Sequence, residues 1–266
     1  MMMVADIHAH IFPDKLAEKA SHSIGGFYGM ETIHTADYHS LVEAEADAGI
    51  SWCAISSSAT TPEQAGHIND FISATCSVDP NLVGLGTLFP GMKDWEEELE
   101  RLHSLGLKGI KIHPDFQKIP IDDPGCVEMY RGIARLGLPV LFHMGDDRFD
   151  YSSPERLTNL IRQVPNLIAI AAHFGGWRAW ERSFAHIQPE NVFYDTSSTL
   201  MFLDRETVLE QLDKMGAHRF LFGTDFPMWS PKQELQRFLS LGLPKDLQDM
   251  ILYKNFARLF LGKKGG

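Results

Sequence analysis

Short apolar runs alternate with helix-like segments along nearly the whole chain, and this alternation limits the fold more than any other feature. Eight runs have strand character: Val4–Ile11, Trp52–Ser57, Leu82–Phe89, Gly109–His113, Pro139–His143, Leu167–His173, Val192–Thr196 and Phe220–Thr224. Most are rich in β-branched or aromatic residues and most are followed directly by Pro, Ser or Asp, the composition of short buried strands. Between them, Leu41–Ala48, Glu63–Val78, Trp95–Leu105, Cys126–Leu136, Pro154–Val164, Trp177–Ile187 and Arg205–Met215 carry helical periodicity. Gly49, Gly106, Gly137 and Gly216 stand just past the expected helix ends, where a left-handed cap favours glycine. Eight such units in 266 residues predict an α/β fold of the (β/α)8 TIM-barrel type, read as one barrel domain over 1–266. The rival with the same alternation is an open doubly wound sheet, and no G-x-G-x-x-G follows the first strand to support it.

Two segments depart from the repeat. Pro13–Tyr38 forms a long first βα connection containing Gly25-Gly26-Phe27-Tyr28-Gly29, either a helix with a mobile lid or an ordinary surface insertion. After the eighth strand, Pro231–Leu241 and Lys245–Leu261 read as two extra C-terminal helices, with Leu247, Ile251, Leu252, Phe256, Leu259 and Phe260 as a packing stripe.

Charge and cysteine usage narrow the function. Asp and Glu (35) outnumber Lys and Arg (24), for a net charge of −11, which argues against a nucleic-acid partner. An anionic small molecule stays open, because a bound metal and a few arginines dominate the field of one pocket. Cys53, Cys76 and Cys126 are odd in number and form no C-x-x-C, so neither a disulfide framework nor a zinc ribbon is expected and a cytoplasmic setting fits. The first residues lack the pattern of a signal peptide, and no run approaches the roughly 20 apolar residues of a membrane span.

In a barrel, chemistry collects at the C-terminal ends of the strands. The polar residues fall there with regularity. His8 and His10 end the first strand and share one side of it, because strand side chains alternate. Lys111 and His113 end the fourth, His143 the fifth, His173 the sixth and Asp225 the eighth. One such histidine is ordinary core; four histidine-bearing strands and an acid-bearing one form a pattern. Three imidazoles and a carboxylate suit Zn²⁺ and also accept Mn²⁺, Fe²⁺ or Co²⁺. We take His8, His10, His143 and Asp225 as the ligand set for one divalent ion. His173 then stands beside it for hydrogen bonding or proton transfer, and Asp225 doubles as the proton acceptor.

These residues carry a family resemblance. Asp6-Ile7-His8-Ala9-His10-Ile11-Phe12-Pro13, Gly109-Ile110-Lys111-Ile112-His113-Pro114, the His of strand five, His173-Phe174-Gly175-Gly176 and Gly223-Thr224-Asp225-Phe226-Pro227 together resemble the amidohydrolase superfamily. The branch that contains aminocarboxymuconate-semialdehyde decarboxylase is the most similar, and the likeness runs from Val4 to Asn255-Phe256-Ala257-Arg258-Leu259. The resemblance implies a barrel with a single divalent ion, usually zinc, the same four ligands, and often a dimer. It does not choose between hydrolases and C–C lyases. A carboxylated lysine bridging two metals occurs in the superfamily. Lys111 shares its side of the strand with His113, so a two-metal site is the minor alternative to one metal with Lys111 and His113 in support.

The expected activity is hydrolysis of an amide, ester or lactone by metal-activated water, with non-oxidative decarboxylation of a small carboxylic acid as the alternative. A metal-binding barrel without turnover would be marked by loss of Asp225 or His173, and both are present. Arg148 and Arg178 follow catalytic strands and are candidates for gripping a carboxylate, though a solvated loop or helix position is the stronger reading for each. Trp177 and Trp229 are candidates for pocket wall, and Trp180 for helix packing. Asp195 is placed either in the site or at the rim. His22, His34 and His39 read first as surface residues, and Asp146, Asp147 and Asp150 as a solvated acidic loop.

Overall fold

A computed structural model describes residues 2–262. Its strands are β1 (Ala5–His10), β2 (Trp52–Ser56), β3 (Leu82–Thr87), β4 (Gly109–Ile112), β5 (Val140–Phe142), β6 (Ala169–Ala171), β7 (Val192–Asp195) and β8 (Phe220–Leu221). They form one eight-stranded sheet in sequential order β1 to β8. The fold is the (β/α)8 barrel. The helices are α1 (Asp14–Tyr28), α2 (Tyr38–Ala48), α3 (Gln64–Val78), α4 (Trp95–Ser104), α5 (Pro114–Gln117), α6 (Val127–Arg135), α7 (Pro154–Gln163), α8 (Trp180–Ala185), α9 (Arg205–Met215), α10 (Pro231–Ser240), α11 (Lys245–Asp249) and α12 (Asn255–Phe260). Every residue of β4 to β8 is buried, as parallel strands covered on both faces require.

The chain divides into two compact units: Met1–Ser57 with Thr75–Val83 and Thr196–Gly266, and Ser58–Ala74 with Gly84–Asp195. In the first, β1 pairs in parallel with β2, and the Ile7 and His10 amides donate to the Phe222 and Phe226 carbonyls. In the second, β4, β5, β6 and β7 pair in unbroken parallel register.

Local rules account for the helix ends. Asp37 and Asp204 cap α2 and α9 by accepting the Ser40 and Thr207 amides at 2.8 and 2.9 Å. Gly49, Gly106, Gly137 and Gly216 all have φ between 67° and 85°, the left-handed geometry expected of them.

Several expectations need correction, among them strand eight, expected over Phe220–Thr224 and found at Phe220–Leu221. Strand six was expected over Leu167–His173 but stops at Ala171, because His173 (φ 61°) and Phe174 (φ 53°) turn left-handed. The helix expected over Trp177–Ile187 is α8 alone. The last helix, expected over Lys245–Leu261, is interrupted by a π-turn at Met250–Lys254. That turn leaves the Ile251 carbonyl to accept the Phe222 amide at 2.9 Å, so the irregularity serves β8.

The first connection is α1 followed by a tied-down segment. The Met30 amide donates to the Gly25 carbonyl, Ala36 to Ser21 Oγ, and Ile33 and His34 both to the Pro227 carbonyl. A Cβ on Gly25 would lie 2.4 Å from the Met30 oxygen, so glycine is needed for that approach. Among the described residues, no helix is long and apolar enough to cross a membrane.

Candidate metal centre

In the first unit, β1 and the residues after β8 bring three of the four predicted ligands together. His8 Nε2 and His10 Nε2 lie 3.1 Å apart, and Asp225 Oδ1 is 3.5 Å from the first and 3.6 Å from the second. His8 is buried, while the His10 and Asp225 side chains keep 13% and 15% of their surface exposed, enough to meet a ligand from outside.

This donor set fits a divalent cation. Two donors each about 2.1 Å from a tetrahedral ion stand about 3.4 Å apart. The remote atoms of the three ligands all end on serine hydroxyls. His8 Nδ1 meets Ser197 Oγ at 3.1 Å, His10 Nδ1 meets Ser56 Oγ at 3.2 Å, and Asp225 Oδ2 accepts from Ser198 Oγ at 2.5 Å. A hydroxyl can take the Nδ1–H of each imidazole, the tautomer that leaves both Nε2 lone pairs facing one another.

Beneath these ligands, Asp6 joins β1 to the segment after β8. Its Oδ1 accepts the His8 and Thr224 amides at 2.8 and 3.0 Å, and its Oδ2 accepts the Thr224 hydroxyl. Burial raises the Asp6 carboxyl, and burial beside Asp6 raises Glu45 well above its usual range. Asp6, Glu45 and Cys53 form a second, fully buried group with metal-ligand chemistry. Burial also raises Glu234 on α10 to about 7, against the pull of its partner Arg237.

The second unit holds Lys111, His113, His143, Arg148, His173, Trp177 and Arg178 of the expected site residues. His143 follows β5; its Nδ1 lies 3.1 Å from His173 Nε2, and its Nε2 is 3.1 Å from the Gly145 carbonyl and 3.5 Å from Asp115 Oδ2. A carbonyl only accepts, so Nε2 carries the proton and Nδ1 the lone pair. His113 stacks between Phe116 (3.7 Å) and His143 (4.1 Å), and its Nδ1 accepts the Phe116 amide that opens α5. Lys111 is fully buried on β4. His173 is fixed through its backbone: Asp195 Oδ1 accepts its amide at 2.9 Å, and its carbonyl accepts Trp180 Nε1 at 3.1 Å. Asp195 is therefore a brace for His173, and Trp180, expected only to pack, holds the same residue.

Other placements differ from expectation. Asp146 is buried rather than solvated, and it grips Arg148 through Nε at 2.9 Å and Nη2 at 2.7 Å, so that guanidinium is already engaged. Arg178 is exposed and lies 4.6 Å over the Trp177 ring, which is buried. Trp229 is half-buried and donates Nε1 to Ser198 Oγ at 2.8 Å. His34 is half-buried, stacks on Phe226 at 5.2 Å, and lines a cavity of about 630 Å³ between α1 and residues 30–35. His22 lines the same cavity, while His39 is exposed.

Sequence reasoning assigned no role to Ser56, Ser197, Ser198 or Asp115. Each lies within three residues of a strand's end, a position that could have drawn notice, but serine carries no ligand signature of its own. Asp115 is buried, Oδ2 accepts from Ser152 at 3.2 Å, and burial beside Asp146 raises its carboxyl to about 7.

Comparison with known proteins decides the family. The amidohydrolase family model matches residues 5–261. The chain belongs to that family. No curated protein matches this amidohydrolase. Among solved structures, 5-carboxyvanillate decarboxylase from Sphingomonas paucimobilis is similar with a TM-score of 0.77 at 15% identity, covering 98% of this chain and 99% of that one. Dihydroxybenzoic acid decarboxylase from Polaromonas, solved with manganese and the inhibitor 2-nitroresorcinol, gives 0.76 at 17% identity and covers 99% and 98%. A candidate 2-pyrone-4,6-dicarboxylic acid hydrolase from Pseudomonas putida gives 0.70 at 17% identity and covers 99% of each chain. At these identities the likeness is one of fold.

Proposed function

We propose that this amidohydrolase is a metal-dependent hydrolase of a small-molecule amide, ester or lactone. The observation that carries the reading is the convergence of His8 Nε2, His10 Nε2 and Asp225 Oδ1, with serine hydroxyls on the remote atoms of all three. These three residues would hold one divalent ion, for which zinc is the first choice; His143 is added as the fourth ligand on the sequence pattern alone. Bound there, the ion supplies Lewis acidity toward water and a substrate carbonyl. Asp225 takes the proton of the attacking water, and His173 delivers one to the leaving group. The Asp195 and Trp180 bonds to the His173 backbone support that role by fixing where its ring starts.

Decarboxylation is the second reading, favoured by the decarboxylases among the structural relatives. It needs a cation to grip a substrate carboxylate. Arg148 is bound to Asp146, which weakens its candidacy and leaves Arg178. Zinc- and manganese-loaded protein should be assayed on lactones, esters and amides, with hydroxybenzoates alongside. Acid release from the first group is expected. Carbon dioxide from the second group alone would replace the hydrolase with the lyase. Full metal-dependent turnover in His143→Ala or Asp225→Ala would overturn the ligand assignment.

A further inference from the structure

Asp225 is held by a brace two side chains deep. Trp229 Nε1 donates to Ser198 Oγ at 2.8 Å, and Ser198 Oγ donates to Asp225 Oδ2 at 2.5 Å. An indole N–H only donates, so it occupies a lone pair of the serine oxygen and directs the hydroxyl proton away from itself, toward the carboxylate. The rotor that would otherwise turn freely thus has one setting. The backbone is committed to the same end: Ser198 and Asp225 both adopt left-handed φ, 49° and 61°, a conformation that costs a non-glycine residue free energy. Phe202 packs edge-on against the Trp229 ring at 6.1 Å and limits its swing.

We infer that Ser198 and Trp229 are positioning residues that present Asp225 to the metal through Oδ1 alone. The inference rests on the reading of Asp225 as a ligand. With Oδ2 tied to a charge-assisted hydrogen bond, Oδ1 is the oxygen left facing the His8 and His10 Nε2 atoms, and the carboxylate binds as a one-oxygen ligand. Ser56 Oγ meets His10 Nδ1 and the Ala9 carbonyl, and Ser197 Oγ meets His8 Nδ1; behind Ser198 stands the Trp229 indole, which places control of the carboxylate's orientation in Trp229.

The test is metal affinity, read by competition of Zn²⁺ and Mn²⁺ with a chromophoric chelator, for parent, Ser198→Ala, Ser198→Gly, Trp229→Phe and His10→Ala. Glycine removes the hydroxyl while relieving the left-handed backbone, so it separates the hydroxyl from the strain and guards against a misfolded alanine variant. Both Ser198 variants should weaken binding about 10–100-fold, and Trp229→Phe should weaken it less, in the same direction. Parent-like affinity in Ser198→Gly would overturn the inference while His10→Ala still loses the metal. Parent-like affinity in His10→Ala would instead bring down the ligand reading on which the inference rests.

Discussion

Asp115 shows how one buried carboxyl can tie stability to pH. Its folded pKa is raised to about 7 from 3.8 by burial and by Asp146. Below about pH 4 the group is protonated whether folded or unfolded and contributes no difference. Between pH 4 and 7 only the unfolded chain gives up the proton, so stability falls as pH rises, and above pH 7 the full loss remains. Asp115→Asn should therefore stabilise the metal-free protein at pH 8, by at most about 4 kcal/mol, and do little at pH 4. Urea melts at the two pH values measure this, and an equal effect at both would show that charge is not the cause. Asn retains a carbonyl for the Ser152 hydroxyl, so the comparison isolates ionisation.

At the scale of elements, close approach between connections matters as much as the strands. Gly145, after β5, has φ 78°, and a Cβ there would lie 2.6 Å from both the Gly176 carbon and the Trp177 nitrogen, with the Trp177 amide bonded to the Met144 carbonyl at 2.7 Å. Gly145→Ala combines a strained conformation with a backbone clash and should cost more than the loss of an ordinary helix cap. Asp204→Ala, which removes the α9 cap, should cost about 1 kcal/mol. Thermal melts of the two variants rank them, and the reverse order would refute the argument. The same contrast explains what was legible in the sequence. The alternation of eight strands was readable because periodicity is local, and Arg205–Met215 emerges with the expected bounds because Asp204 and Gly216 mark both ends. Strands six and eight, expected to reach His173 and Thr224, end at Ala171 and Leu221, because apolar composition continues past the last residue paired in the ladder. His8, His10 and Asp225 announced themselves by residue type and position, whereas the serines that support them are defined only by partners from distant segments.

For the whole molecule, a bound ion is a stabilising ligand as well as a reagent. Free metal at 100 times its dissociation constant adds about 2.7 kcal/mol to the folded state. Chelation should lower the melting temperature, re-addition of zinc should restore it, and His10→Ala should respond to neither. A His10→Ala melt that shifts as the parent's does would place the stabilising metal elsewhere, with the Asp6–Glu45–Cys53 group as the alternative in the same unit.

The Asp6 crossing also ties the centre to long-range closure of the chain. Its carboxylate joins the His8 amide to the Thr224 amide, the latter 218 positions beyond Asp6 itself. The strand that seats His8 and His10 is completed by Phe222, Asp225 and Phe226, and Phe222 in turn needs the Ile251 carbonyl. The centre is thus made only when widely separated segments close on one another, and a chain whose first unit is still open has no assembled triad with which to take up metal.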